Sequence, residues 1–204
     1  MPTAPPLGLR ERKKLRTRRE IAEAANHLIT EHGIEHVTIE QIAAAADVAP
    51  RTFFRYFDSK EDAFLSDHRD KLATFRAALL ERPANEGALT AVRTALLGLA
   101  DIYEIDRDEV LCKARLVAES PGLHLRSLEL HADLQQSIAD AIATRMHVDL
   151  ADDMRPAVIA AAVSGALQAA LGHWVANGAR EDLPTLVGAA LDLLDGGLDE
   201  FGRP

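Results

Sequence analysis

Arg51 and Arg55 stand four residues apart, with Phe53 and Phe57 interleaved at the same interval. On a helix turning about 100° per residue, the two phenylalanines share a face to within roughly 40°, and the arginines fall roughly 160° and 200° from Phe53. Such a rod has an apolar back and a cationic front. A guanidinium fork matches O6 and N7 of guanine in a major groove, with about 1–3 kcal/mol of discrimination per well-made contact. Arg51, beside the helix start, is the residue placed to read a base, and Ala49, Pro50, Thr52, Phe54 and Arg55 complete the surface around it. Thr38, Tyr56 and Lys60 add hydroxyl and ammonium donors on adjoining segments, suited to phosphates, which set register without reporting sequence. Upstream, Arg10, Arg12, Lys13, Lys14, Arg16, Arg18 and Arg19 put seven cations in ten residues, opposed there only by Glu11. A run of that density can track a polyanion.

Other chemistries find weaker footing. His32-Gly33-Ile34-Glu35-His36 fits H-x-x-E-H, a zinc-hydrolase pattern. Gly33 and the capping signals after it put that run across a helix end, where the two imidazoles need not share a face. His124 and His131 are seven apart and can share a face, but a satisfied or solvent-facing histidine is the commoner case. Ser164 lacks the G-x-S-x-G elbow, and there is no Walker loop or dinucleotide fingerprint. Cys112 is the sole cysteine, which excludes an intrachain disulfide or a thiolate-rich zinc site and suits a reducing cytoplasm. No catalytic residue, metal or cofactor is expected.

The elements that must hold these groups are helical. Of the 204 residues, 48% are apolar but only 4% aromatic, and the Ala- and Leu-rich balance favours helix over strand. Apolar residues recur at helical spacing throughout, which predicts an all-α chain of about nine helices. The first runs from about Arg10 to Glu31, with Ile21, Ala24, Ala25, Leu28 and Ile29 inward and Gly33 at its C-terminal cap. Thr38 and Gln41 spell a capping box, and Val37 and Ile42 the staple that accompanies it, so a second helix begins at Ile39. It ends near Ala46, because Asp47 tolerates a left-handed turn. A third begins with Pro50 at its first position and runs to Phe57, giving a helix-turn-helix over Ile39–Phe57. A fourth starts at Ser59 with Asp62 and reaches about Leu80. Five more follow near 88–104, 107–119, 121–147, 153–177 and 183–199, started by Asp106 with Glu109, Ser120 with Pro121, Asp153 and Asp182.

Charge divides along the same line. Residues 1–60 carry 10 Lys+Arg against 8 Asp+Glu, and residues 61–204 carry 13 against 24, so the net −9 combines a basic head with an acidic body. Pro2, Pro5 and Pro6 mark a frayed tail, and no apolar stretch after the first charges suggests a secretory signal. Ala157–Ala176 lacks a formal charge over twenty residues. Its alanines, Ser164, Gln168 and His173 make a bundle helix the better account than a membrane span.

The segment RREIAEAANHLITEHGIEHVTIEQIAAAADVAPRTFFRYFDSKEDAFL, from Arg18, resembles the DNA-binding domain of the tetracycline-repressor (TetR) family over about fifty residues. The long first helix ending in EHG, the VTIEQIAAAA helix, the TFFRYF recognition helix and the SKEDAF opening carry the match. The resemblance implies a homodimeric, all-helical regulator, with a DNA-binding domain over 10–58 and an effector-binding and dimerisation domain over 59–200. It also implies that the last two long helices of each subunit pair into a four-helix bundle, and that the partners are a double-stranded operator and a small effector. Asp47 stands where the family usually has glycine, Ala49 where it has serine and Phe54 where it has tyrosine. Ala49 and Phe54 each remove a hydroxyl, and Arg51 fills a position that is often small, which makes operator preference individual to this chain. RTFFRYF and LCKARLVAESPGLHLRSLELH are similar to the subgroup containing the mycofactocin-cluster regulator, which implies an acyl-type effector.

Beyond the head, Ala161, Gly165, Ala169 and Gly172 recur at three- or four-residue steps that let a helix approach closely, and Leu186, Ala189, Ala190, Leu193 and Leu194 supply a matching face. An intrachain core would use the same patterns. For an effector pocket the apolar candidates are Phe75, Leu79, Tyr103, Cys112, Leu116, Leu134, Ile138, Leu167 and Trp174, with Arg115, His131 and Gln168 to orient a ligand. The rival readings are an α-helical enzyme or an interaction bundle, each carrying a degenerate helix-turn-helix.

Overall fold

The computed structural model describes residues 8–195. Among them there is no strand; ten α-helices follow one another, α1 Leu9–His32, α2 Ile39–Ala45, α3 Pro50–Phe53, α4 Lys60–Phe64, α5 Ser66–Glu81, α6 Ala88–Ile105, α7 Arg107–Glu119, α8 Pro121–Met146, α9 Arg155–Ala176 and α10 Leu183–Asp195. A single 3₁₀ turn, Ile34–His36, lies between α1 and α2. The prolines expected to fray, Pro2, Pro5 and Pro6, and the expected end of the last helix near residue 199 lie outside the described residues.

Local chemistry explains most of the head. Ile21, Ala25 and Ile29 fall on one face of α1 and are fully buried. Gly33 ends the helix at φ 79°, a left-handed conformation in which a Cβ would be strained. The capping box at α2 is complete: Gln41 N donates to Thr38 Oγ1 (3.2 Å) and Thr38 N donates to Gln41 Oε1 (2.8 Å). Val37 and Ile42 are both buried beside it. Asp47 takes φ 52° in the turn, as its side-chain type allows.

Two expectations are corrected. The recognition element is α-helical only to Phe53, not Phe57. From there Arg55 N bonds Thr52 O (3.2 Å) and Tyr56 N bonds Phe53 O (2.9 Å), the i→i−3 closure of a tightened last turn. The predicted fourth helix is two, broken at Leu65, where φ −92° and ψ 14° interrupt the run. Ala63, Phe64, Leu65 and Ser66 are buried in succession there, so the break lies in the interior. From α6 to α9 the helices start and stop within a few residues of expectation, and α10 starts at Leu183 as expected. Asp106 differs in detail, making no capping bond to its own helix and pairing with Lys71 at 2.9 Å instead.

One apolar cluster runs from Ile21 in α1 to Leu191 in α10. α4 packs against α1 and α8, and α9 packs between α8 and α10. Arg145 of α8 closes the end of α5, donating to the carbonyls of Arg82 and Pro83 (3.0 Å each) and of Leu79 (3.3 Å). Trp174 is fully buried, and its indole donates to Glu181 O (2.8 Å), which folds the α9–α10 loop over it.

Candidate functional site

Short as it is, α3 is held firmly. Phe53 and Phe57 are buried with ring centroids 5.8 Å apart, and Phe53 meets Phe54 edge to face at 5.6 Å. Pinning that face leaves Arg51, Arg55 and Phe54 outward, Phe54 at 56% exposure. Ala49 and Pro50 are exposed at the helix start, and Thr52 is half-buried. Arg55 stacks on the ring of Tyr56 (5.2 Å to the centroid) and its guanidinium donates to the Tyr56 hydroxyl (3.3 Å). Thr38 is exposed and occupied as the N-cap of α2, its hydroxyl hydrogen still available.

Lys60 and Arg18 sit differently from their sequence-level reading. The Lys60 ammonium, half-buried, donates to Ile34 O (2.6 Å) and Val37 O (3.0 Å), which ties α4 to the turn that leads into α2. Two of its three donors are thereby committed to backbone. Arg18 reaches Asp70 of α5 at 2.8 Å and lies over Phe57, 5.3 Å from the ring centroid. Arg10, Arg12, Lys13, Lys14 and Arg19 remain exposed along α1, and Arg16 pairs with Glu20.

His32 closes α1 and His36 closes the 3₁₀ turn, on opposite sides of the left-handed Gly33. Among the described residues no cluster of three or more metal-ligating side chains occurs.

The body contains a cavity of about 370 Å³ bounded by α5, α6, α7, α8 and α9. Of the residues expected to line a pocket, Tyr103, His131 and Gln168 do so. Phe75, Leu79, Leu134, Ile138, Leu167 and Trp174 are core, while Leu116 packs against the core and Arg115 is exposed. Cys112 lines a separate groove beside α1. What sequence reasoning missed is polar: the charged Asp67, Lys71 and Lys113, together with His68, His124 and Ser127. The signal was there, because Lys71 shares a stripe with Phe75 and Leu79, and Lys113 one with Val110 and Val117. A lysine in an inward stripe needs partners.

It has them. Lys71 and Lys113 are 8% and 9% exposed. Lys113 pairs with Asp67 and, at 2.6 Å, with Glu109; Lys71 reaches Asp106 at 2.9 Å and Asp67 at 3.5 Å. Burial works against the Asp67 charge, but Lys113 and Lys71 outweigh it and hold its carboxyl below the usual range. His68 Nδ1 and the Tyr103 hydroxyl are 2.5 Å apart. Burial, with His131 nearby, pulls His68 down to about 4, and burial raises Tyr103. Both are neutral near pH 7. His131 is likewise lowered by burial and then by His124, and its Nδ1 is buried with no hydrogen-bond partner.

Between the interface and the cavity stands α4. Asp62, its side chain 9% exposed, accepts from Arg126 of α8 (2.7 Å from Nε) and from Arg69 of α5 (3.3 Å). α8 lines the cavity with His124, Ser127 and His131.

Comparison with known proteins agrees with this architecture. The family described as "Bacterial regulatory proteins, tetR family" matches residues 21–66, and the family described as "MftR C-terminal domain" matches residues 86–199. The HTH-type transcriptional regulator TcmR of Streptomyces glaucescens is 38% identical over 194 residues, 92% of this chain and 85% of that protein. Among solved structures, FadR of Thermus thermophilus in complex with lauroyl-CoA superposes with a TM-score of 0.60 at 22% identity, covering 87% of this chain and 92% of that one. FadR of Bacillus subtilis in complex with stearoyl-CoA gives 0.61 at 21% identity, over 86% and 96%. The chain belongs to the TetR family of bacterial transcriptional regulators, with a C-terminal domain of the MftR type.

Proposed function

We propose that the chain is a homodimeric repressor that binds a two-fold symmetric operator and is released from it by a small, largely apolar effector, as a cytoplasmic protein. The observation that carries the reading is the division of α3, with Phe53 and Phe57 buried and Arg51 and Arg55 outward. Arg51 reads a base edge in the major groove, and Phe54 offers an apolar surface suited to a thymine methyl. Thr38, Tyr56, Thr52, the exposed start of α3 at Ala49 and Pro50, and the cations of α1 contact phosphates. Residues 10–58 act as the DNA-binding unit and 59–200 as the effector and dimer unit.

The dimer is supported by α9. Ala160, Val163, Leu167, Ala170 and Trp174 are buried within the chain, while Ala161, Gly165, Ala169 and Gly172 lie exposed. A helix apolar all round is one covered on all sides, and a second copy supplies the missing cover. Effector in the cavity displaces α8, Arg126 passes the displacement to Asp62 of α4, and Lys60 passes it to the head. DNA and effector then oppose each other through about 1–3 kcal/mol of coupling, equal in both directions.

The FadR structures hold acyl-CoA ligands, which supports a small-molecule effector for this fold. Substituting Arg51→Ala tests the reading. With operator and random duplexes compared across salt, the wild type keeps a preference of at least about 10³ while both affinities fall steeply. Arg51→Ala relaxes choice at one position per half-site, at about 1–3 kcal/mol. Equal losses on operator and random DNA contradict the assigned role.

A further inference from the structure

Resting on the effector-cavity reading, the charge pattern narrows the ligand. Much of the cavity lining is apolar, contributed by Leu65, Val110, Val117, Leu130, Leu171 and Val175. Both lysines also line the cavity, Lys113 between Val110 and Val117 on α7, yet neither offers an uncompensated charge. Lys71 and Lys113 are met by Asp67, Asp106 and Glu109, two cations against three carboxylates. Their ammonium groups also lie over the rings of Tyr103 (5.1 Å) and Phe64 (5.5 Å), which holds them in place. An anion entering here would be desolvated next to Asp67 and would have to break an existing pair to gain a cation, the unfavourable case for buried charge. The remaining polar groups of the lining are Gln168, His124 and Ser127, the neutral His68–Tyr103 couple (2.5 Å) and His131, whose buried Nδ1 is without a partner. A buried polar atom left unpaired costs free energy that a ligand donor or acceptor recovers.

We propose that the cavity takes an uncharged ligand, an apolar body with a hydroxyl or carbonyl group that pairs with His131 beside the His68–Tyr103 couple, in preference to a fatty carboxylate or a coenzyme A thioester. Its volume, about 370 Å³, lies at the small end of the roughly 300–1,000 Å³ typical of ligand pockets. This departs from the acyl-CoA ligands of the FadR structures. The difference is one of ligand charge.

The test uses the full-length protein and 1-aminoanthracene, an uncharged fluorophore, displaced by three probes of equal chain length: dodecan-1-ol, laurate and lauroyl-CoA. The fluorophore binds saturably, one per chain, and dodecan-1-ol displaces it at least about tenfold more effectively than either anionic probe. Ala114→Phe, which fills the cavity from α7, abolishes binding with the melting temperature preserved; Ser127→Phe does the same from α8 if the first variant fails to fold. His131→Leu weakens dodecan-1-ol at least about fivefold, and no change there overturns the pairing with His131. Laurate or lauroyl-CoA matching or exceeding dodecan-1-ol, with binding still lost in Ala114→Phe, overturns the uncharged-ligand inference and leaves the cavity reading standing. No saturable binding, or binding untouched by both filling variants, overturns both.

Discussion

Lys60 is the residue at which two physical accounts separate most cleanly. A lysine at the mouth of α4, next to a recognition element, invites a phosphate; the structure turns its ammonium onto the carbonyls of Ile34 (2.6 Å) and Val37 (3.0 Å). Hydrogen bonds to a charged group contribute about 1.5–3 kcal/mol each. Two such bonds on a half-buried lysine, discounted for solvent access, amount to about 2 kcal/mol. Lys60→Met keeps most of the stem and removes the charge and the donors. For a chain of this length about 2 kcal/mol lowers the melting temperature by about 4–8 °C. If the ammonium holds the head to α4, the variant melts earlier while the slope of log affinity against log salt stays the same. If it neutralises a phosphate, that slope falls by about 0.9 and stability barely moves. Calorimetry together with fluorescence anisotropy on a DNA duplex at several salt concentrations reads both. An unchanged melting temperature with a reduced slope refutes the structural role.

Three further outcomes are expected. Arg126→Gln removes the closest partner of Asp62, leaving Arg69 at 3.3 Å; urea unfolding registers a loss of about 1.5–3 kcal/mol, and a double-mutant cycle with Asp62→Asn gives a coupling of about 1 kcal/mol or more. His68, lowered to about 4 in the folded chain against an unfolded value near 6.5, binds its proton more readily when unfolded. Stability is therefore full above about pH 6.5 and falls between about 6.5 and 4, by up to about 3 kcal/mol, and His68→Gln flattens that fall in a pH series of chemical denaturation. Part of the fall persists in the variant, since His131 is shifted in the same direction. Gly165→Arg adds a side chain where a Cβ meets nothing within 4 Å of this chain; sedimentation finds a folded monomer in place of a dimer, and an intact dimer would place the seam elsewhere.

The head was legible because its determinants are local. Thr38 and Gln41 announce a capping box by identity and spacing alone, and Asp47 announces a left-handed turn by its tolerance of φ 52°. The length of α3 was not legible: nothing between Phe53 and Phe57 breaks a helix, and the tightened turn arises from docking the aromatic pair. The break at Leu65 was not legible either: no glycine or proline marks it, and it falls inside the buried run from Ala63 to Ser66. The cavity was misread for a specific reason. Large apolar residues such as Leu134, Ile138 and Trp174 were the expected lining, yet they are buried in the core and do not line the cavity. The cavity lies where polar side chains interrupt an apolar stripe, at Lys71, Lys113, His68 and His131, and a stripe position occupied by a charge was the mark to look for. On α9 the sequence showed small residues without saying which side they served; Ala161, Gly165 and Ala169 are exposed in the chain, a distinction that burial alone supplies.

Selection of bound sequences from a random duplex pool by the purified full-length protein tests the central claim most directly. The account predicts a two-fold symmetric consensus whose half-sites lie about one helical turn apart, with guanine at the position that Arg51→Ala relaxes. Recovery of no consensus, or of one without two-fold symmetry, contradicts it.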